Sequence, residues 1–201
     1  MTIAKSEIIE VHNEARKGSL ANDSAELDVA IKMCLNDLSN SNLLKSSDTS
    51  QTLSSTSTYL EYPSLFKSLM DAGIILNDGS YDLDPLLKIS WREYKELMTN
   101  FHSGLRSSPK AYAENDKKFY LYPAPGQTYT TEIWFWKYHD QSADSIEFEE
   151  EFRNVIYYGT IYFKAQLQGN QKYMGIWLPQ YEREKTLRRI SQNTQPRIVK
   201  G

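Results

Sequence analysis

The spacing of apolar residues changes several times along this chain. Between Asp23 and Leu44 they fall at Leu27, Ala30, Ile31, Cys34, Leu35 and Leu38, the i, i+3, i+4, i+7 pattern of one helix face. Asp23 or Ser24 is placed to cap that helix. Ahead of it, Ile3, Ile8, Ile9 and Val11 predict a helix over 3–17 that stops at Gly18. Toward the other end, Phe148, Phe152, Val155, Ile156, Gly159, Phe163 and Leu167 mark a third helical face. Asp144 or Ser145 would cap it, with Glu147, Glu149, Glu150 and Glu151 in the first turns, where the helix dipole favours carboxylates. "GNQ" at 169–171 separates it from a last helix carrying Tyr173, Trp177, Tyr181 and Leu187.

In the middle of the chain the period shortens to two. The Ser/Thr-rich residues 46–58 read as a loop entering a strand, and "YLEYP" follows with strand alternation. "GIILNDGSYDLD" predicts two short strands joined at Asn77-Asp78-Gly79. Pro85 then opens a short helix with Leu86, Leu87, Trp91, Tyr94 and Leu97 on one side. "KFYLYP" and "GQTYTTEIWFWKYH" predict two paired strands joined across Pro123, Pro125 and Gly126. In the second of these, Tyr129, Thr131, Ile133, Phe135 and Lys137 share one face; Thr130, Glu132, Trp134, Trp136 and Tyr138 share the other. Rings on both faces predict a strand covered on both sides.

The fold expected is α+β in one domain, 1–201. Two N-terminal and two C-terminal helices, at about 3–44 and 145–190, form a four-helix body. It carries a central antiparallel β insertion at about 52–139 and an extended C-terminal arm at about 188–201. There is no internal repeat.

Composition narrows the functional classes. The chain has 201 residues, 40% apolar and 24% charged, with 14 tyrosines. Tyrosine suits half-wet positions and protein interfaces. A net charge of −3 gives no general attraction to nucleic acid or anionic lipid. The single cysteine, Cys34, permits no internal disulfide and reads as a small buried hydrophobe, with a nucleophile as the sharper alternative. No apolar run reaches the length of a membrane helix, and "MTIAKSEIIEVHNEARKG" has no signal-like apolar core. These features predict a cytoplasmic product, or a particle assembled in the cytoplasm.

Candidate chemistry is sparse. His12, His102 and His139 lack partners at ligand spacing, and Asp78, Asp82 and Asp84 fit turns better than a calcium loop. No catalytic residue, metal site or cofactor is expected. "EFEEEF" at 147–152 resembles a carboxylate pair, but its phase predicts a solvated helix start. Tyr120, Tyr122, Tyr129, Trp134 and Trp136 are candidate interface aromatics. Of these, Trp134, Trp136, Tyr120 and Tyr122 support an alternative reading as a carbohydrate-binding module. An enzyme whose site gathers His139 with carboxylates is a third class. From Lys185 onward the chain is basic with no acidic residue, which suits an arm that orders on a partner.

Four segments together resemble the head-to-tail connector, or adaptor, proteins of tailed bacteriophages. They are the N-terminal helix pair with "AELDVAIKMCLNDL", the strand "YLEYP", the stretch "SPKAYAENDKKFYLYPAP", and the closing "EEEFRNVIYYGTIYFKAQLQGNQKYMGIWLPQYEREKTLRR". The resemblance covers about 3–190 and matches poorly over 64–100. It implies a virion structural protein at the neck: a ring, twelve-fold like the portal, bound beneath the portal and joined to a downstream tail or neck protein. DNA would only pass through the lumen, and an acidic chain suits that. No catalysis, cofactor or membrane is implied. Arg188, Arg189, Ile190, Pro196, Arg197, Ile198, Val199 and Lys200 would form the portal-docking arm.

Overall fold

The computed structural model describes residues 2–9, 24–79, 84–100, 106–142 and 145–193. The chain divides into two compact units. One is formed by Met1–Leu44 with Tyr138–Gly201, the other by Lys45–Lys137.

In the first unit, β1 (Thr2–Ala4) pairs antiparallel with β12 (Ser145–Glu149), Ile3 lying opposite Ile146. Residues 5–9 are helical. Helix α1 (Ser24–Asn40) buries Leu27, Ala30, Ile31, Cys34, Leu35 and Leu38, the face its spacing predicts. It ends where Asn42 turns to φ 56, a left-handed conformation that asparagine tolerates. After β12, a 3-10 turn (Glu150–Phe152) leads into α3 (Arg153–Leu167). Gly169, at φ 63, closes α3, and the Asn170 N–H donates to the Ala165 carbonyl at 2.8 Å. Asn170 Oδ1 then accepts from the Tyr173 N–H at 3.2 Å, capping α4 (Gln171–Asn193). One core joins Ile3, Ile8, Ile31, Leu35, Phe148, Phe152 and Ile156 to Tyr181 of α4.

The second unit is built on two four-stranded sheets. In one, β11 (Tyr129–Lys137) is central. The long β5 (Phe66–Asn77) lies along one side, with β2 (Lys45–Asp48) and β3 (Thr52–Leu53) also paired to β11. In the other, the order is β4 (Tyr59–Glu61), β9 (Lys118–Tyr122), β8 (Ala111–Asn115), β6 (Leu87–Lys88). The β8–β9 hairpin turns at Asp116 and Lys117, both at positive φ, as its twist requires. A short parallel pair joins β7 (Arg106–Ser107) to β10 (Ala124–Pro125). Helix α2 (Trp91–Asn100) begins after Ser90, whose Oγ accepts from the Glu93 N–H at 3.1 Å. Leu53, Leu60, Ile74, Leu121, Ile133 and Phe135 form the shared core, and Phe66 meets Phe119 edge-on at 5.4 Å.

This architecture overturns the expected four-helix body with one antiparallel insertion. Helices and strands occur in both units, and two strand pairings in the second unit are parallel. Four boundary readings account for the difference. Ile3 lies in a strand, so no helix begins at residue 3; residues 10–23, with His12 and Gly18, fall outside the described residues. Ser145–Glu149 is also a strand, because Ile146 and Phe148 satisfy a period of two as well as Phe148 and Phe152 satisfy a helical one. Pro85 opens no helix: Leu87 and Lys88 pair with Ala111 and Tyr112, and α2 waits for the Ser90 cap. The strand expected before Asn77 is the end of a longer one, 66–77, that passes through Gly73 at φ 60, and the strand expected after Gly79 falls on residues 80–83, outside the described residues.

The expected aromatic hairpin is also absent. β9 pairs with β4 and β8, whereas β11 pairs with β2, β3 and β5. The connection over 123–128 carries Pro123 and Pro125 and is tied to β7, so it leads from one sheet to the other. On β11, Tyr129, Thr131, Ile133 and Phe135 are buried, while Glu132, Trp134 and Trp136 are half-buried.

Candidate interaction surfaces

Helix α4 is fixed by one short segment. A Cβ on Gly159 of α3 would lie 2.4 Å from Cys34 Sγ and 2.7 Å from Tyr181 Cε2, so only glycine lets α1, α3 and α4 approach this closely. Tyr181 is 1% exposed, and its hydroxyl donates to Asp37 Oδ2 at 2.5 Å. Lys185 Nζ reaches the same oxygen at 2.6 Å. Burial pushes the Tyr181 phenol far above its ordinary range, with Cys34 and Asp37 adding to the shift. Burial likewise pushes the Cys34 thiol up, reinforced by Asp37, and the thiol donates to the Ile156 carbonyl at 3.6 Å. A thiol held protonated this way is a packing element and not a nucleophile.

His139 is similarly structural. Its Nε2 accepts from the Glu147 backbone N–H at 3.3 Å, its backbone N–H donates to Ser39 Oγ at 3.1 Å, and its ring lies parallel to Phe148. No group of three or more His, Cys, Asp or Glu among the described residues could hold a metal ion. Asp82, His12 and His102 lie outside them. Among the described residues no helix is long and apolar enough to cross a membrane.

The five candidate interface aromatics separate. Tyr129 is core, packed with Leu53 and Ile133. Trp134 stands opposite Ser47, and Trp136 opposite Lys45 and Ser68, in the β11 sheet. Tyr120 and Tyr122 belong to the other sheet, opposite Ala113 and Ala111. Tyr120 contacts Trp91 at 4.9 Å and Tyr94 at 5.8 Å between centroids, and those two rings stack at 5.1 Å. This cluster seats α2 on the sheet over Ala113, which is fully buried. The sequence separates Trp91 and Tyr120 by a loop and a hairpin, so nothing local joins them. No single stacking strip forms, and the carbohydrate reading loses its basis.

The first residues of the expected arm, 188–193, are helical. Arg188, Arg189 and Ile190 are in α4, which continues to Asn193. Arg188 reaches Glu151 at 3.6 Å and Glu184 at 3.8 Å, so it ties α4 to the 3-10 turn that precedes α3. Pro196, Arg197, Ile198, Val199 and Lys200 lie outside the described residues. Sequence reasoning missed the outward face of α4. With 100° per residue, Ile176, Arg183, Leu187 and Ile190 project opposite Tyr181. Ile176 and Leu187 are each 45% exposed and Ile190 is 55% exposed.

A helical unit with a solvent-facing apolar stripe fits a protein that works through contacts with other proteins. A family of phage head–tail adaptors matches the chain over residues 7–200. The chain belongs to that family, the SU10 adaptor proteins. Among curated proteins no match is found. The family is one of virion structural proteins at the head–tail junction.

Proposed function

We propose that this protein is a head–tail adaptor that forms a ring beneath the portal and joins the DNA-filled head to the tail or neck. The match to the adaptor family across residues 7–200 carries this reading. The ring is twelve-fold like the portal, contacts a downstream tail or neck protein, and leaves a channel through which DNA only passes. It catalyses no reaction, takes no cofactor and touches no membrane. Subunits are made in the host cytoplasm and end in the virion neck.

The portal-docking arm in this reading is residues 194–201, with Pro196, Arg197, Ile198, Val199 and Lys200. Their basic character suits ordering on a partner. Arg189 and Ile190 lead into it from the end of α4. The test is deletion of 194–201, which spares Arg188 and Gln192, the residues that fasten the helix end. The truncated chain is expected to fold with an unchanged circular dichroism spectrum and to fail to join filled heads to tails. Truncated protein that still completes particles would overturn the arm's role. Cryo-electron microscopy of virions showing this density away from the neck would overturn the whole reading.

A further inference from the structure

Strand β4 ends its sheet, so one row of its backbone groups faces away from β9. Leu60 lies opposite Phe119. On either side of it, the Leu121 N–H donates to the Thr58 carbonyl at 2.9 Å and the Tyr62 N–H to the Lys117 carbonyl at 3.1 Å. Residues 58, 60 and 62 therefore bond β9, and Tyr59 and Glu61 turn their N–H and C=O groups to the outer edge. At Glu61 that edge is filled by one side chain. Gln51 Oε1 accepts from the Glu61 N–H at 3.0 Å, and Gln51 Nε2 donates to the Glu61 carbonyl at 3.0 Å. The amide makes the pair of bonds that a residue of a neighbouring strand would make.

The backbone of Gln51 is fixed separately. Its carbonyl accepts from the Thr131 N–H at 3.3 Å and from Thr131 Oγ1 at 2.8 Å, so residue 51 stays on β11 whether or not its side chain turns away. The edge of β5 is covered differently: at Ile74 the Leu86 N–H donates to the carbonyl at 3.0 Å. A main-chain cover leaves only when its segment unravels, whereas a side-chain amide leaves by rotating between rotamers. Beside Gln51 the sheet is open to solvent. The Glu61 side chain is 60% exposed, and Tyr59 is exposed with Lys118 Nζ 4.1 Å from its ring centroid.

We propose that the outer edge of β4 takes up an extended segment of another protein by strand addition, and that the Gln51 amide holds the edge until that segment displaces it. The seated amide indicates the occupant. A peptide group satisfies the same two groups of Glu61, and a strand adds bonds to Tyr59 beyond them. β9 shows which side chains lie well beside β4: Lys118 opposite Glu61, Phe119 opposite Leu60 and Tyr120 opposite Tyr59. The incoming strand runs antiparallel and carries a basic, an apolar and an aromatic residue in succession. This edge is separate from the arm of the adaptor reading and does not depend on it.

Fluorescence anisotropy of a labelled peptide with the β9 sequence KKFYLY, residues 117–122, titrated with the full chain, tests the site. Wild-type protein is expected to bind it weakly. Gln51→Ala should bind about tenfold more tightly, because the amide no longer competes for Glu61. Tyr59→Pro should abolish binding: it removes a donor of the outer edge and leaves the ladder to β9 intact. The same peptide N-methylated at alternate residues keeps its side chains, loses the donors of each edge position it would use, and should not bind. Circular dichroism checks that each variant is folded, and Tyr59→Pro with the methylated peptide tests the edge independently of Gln51. A Gln51→Ala protein that binds no more tightly than wild type overturns the proposal, as does equal binding of the methylated peptide. Peptide retained by Tyr59→Pro would show exchange with β9 and overturn it too. Gln51→Ala chains that associate with one another in sedimentation, and that excess peptide does not separate, would give the edge to a second copy and overturn the choice of occupant.

Discussion

The two units of this protein reach order by different physical routes. In the helical unit, three helices meet at a point where Gly159 has no room for a methyl group, and a buried tyrosine shares one aspartate oxygen with a lysine. In the strand-rich unit, rings pack on rings: Phe66 on Phe119 and Phe135, Tyr62 on Phe66, Tyr120 on Trp91. Close backbone approach tolerates no added volume, whereas offset rings can shift against one another. In the first unit this close approach seats the inner face of α4 on α1 and α3. The second holds its two sheets together through a shared core of aliphatic and aromatic side chains.

This contrast can be broken most severely at Gly159. Gly159→Ala forces a methyl group onto Cys34 and Tyr181 and should cost about 3 kcal/mol, near the upper end for overpacking. Urea unfolding measures the loss. Hydrogen exchange should place it in α1, α3 and α4, and a uniform loss across the chain would show that the units are not distinct in this respect. A smaller effect is expected from the other unit. Trp91→Ala removes a half-buried ring that docks α2, for about 2 kcal/mol, with exchange rising in α2 and β8. Unchanged protection there would mean that Trp91 does not seat the helix.

The smallest effect separates the units by pH. Burial, together with Glu114, pushes Tyr62 and Tyr112 of the strand-rich unit up to about 12. A raised folded value means that their contribution is complete below the ordinary value of 10.0 and is lost as pH rises toward about 12. Melting temperatures recorded at stepped alkaline pH should fall across that window. Tyr62→Phe with Tyr112→Phe should flatten the fall, and a slope unchanged by the double substitution would assign it elsewhere. The Tyr181 phenol, buried beside Asp37, should titrate later than either.

The candidate sites were legible to different degrees. Cys34 as a packed residue follows from its place among Ile31, Leu35 and Leu38, and the buried thiol agrees. The basic C-terminal charge was visible, but Arg188 of α4 is engaged by Glu151 of the 3-10 turn before α3, which no local pattern reveals. The outward apolar stripe of α4 was hidden because Tyr173, Trp177 and Tyr181 give the helix a convincing inward face. Only the packing shows that Ile176, Leu187 and Ile190 lie outside it. Tyr129 and Tyr120 looked alike as interface rings, yet one is core and the other supports a helix.

By itself the sequence determined elements whose signal is local. Helix α1 follows from its apolar period, the α3–α4 break from Gly169 and Asn170, and the alternation of β11 from residues two apart. Membership of the adaptor family also resides in the sequence, since the match runs through nearly all of it. Only the tertiary structure decided which strands pair, because hydrogen bonding between strands joins residues far apart in the chain and leaves no periodic trace. The same holds for the rings at 119–138. Pro123 and Pro125 cannot donate to a ladder, and whether the chain turns back or crosses to another sheet depended on Arg106 and Ser107 waiting beside them.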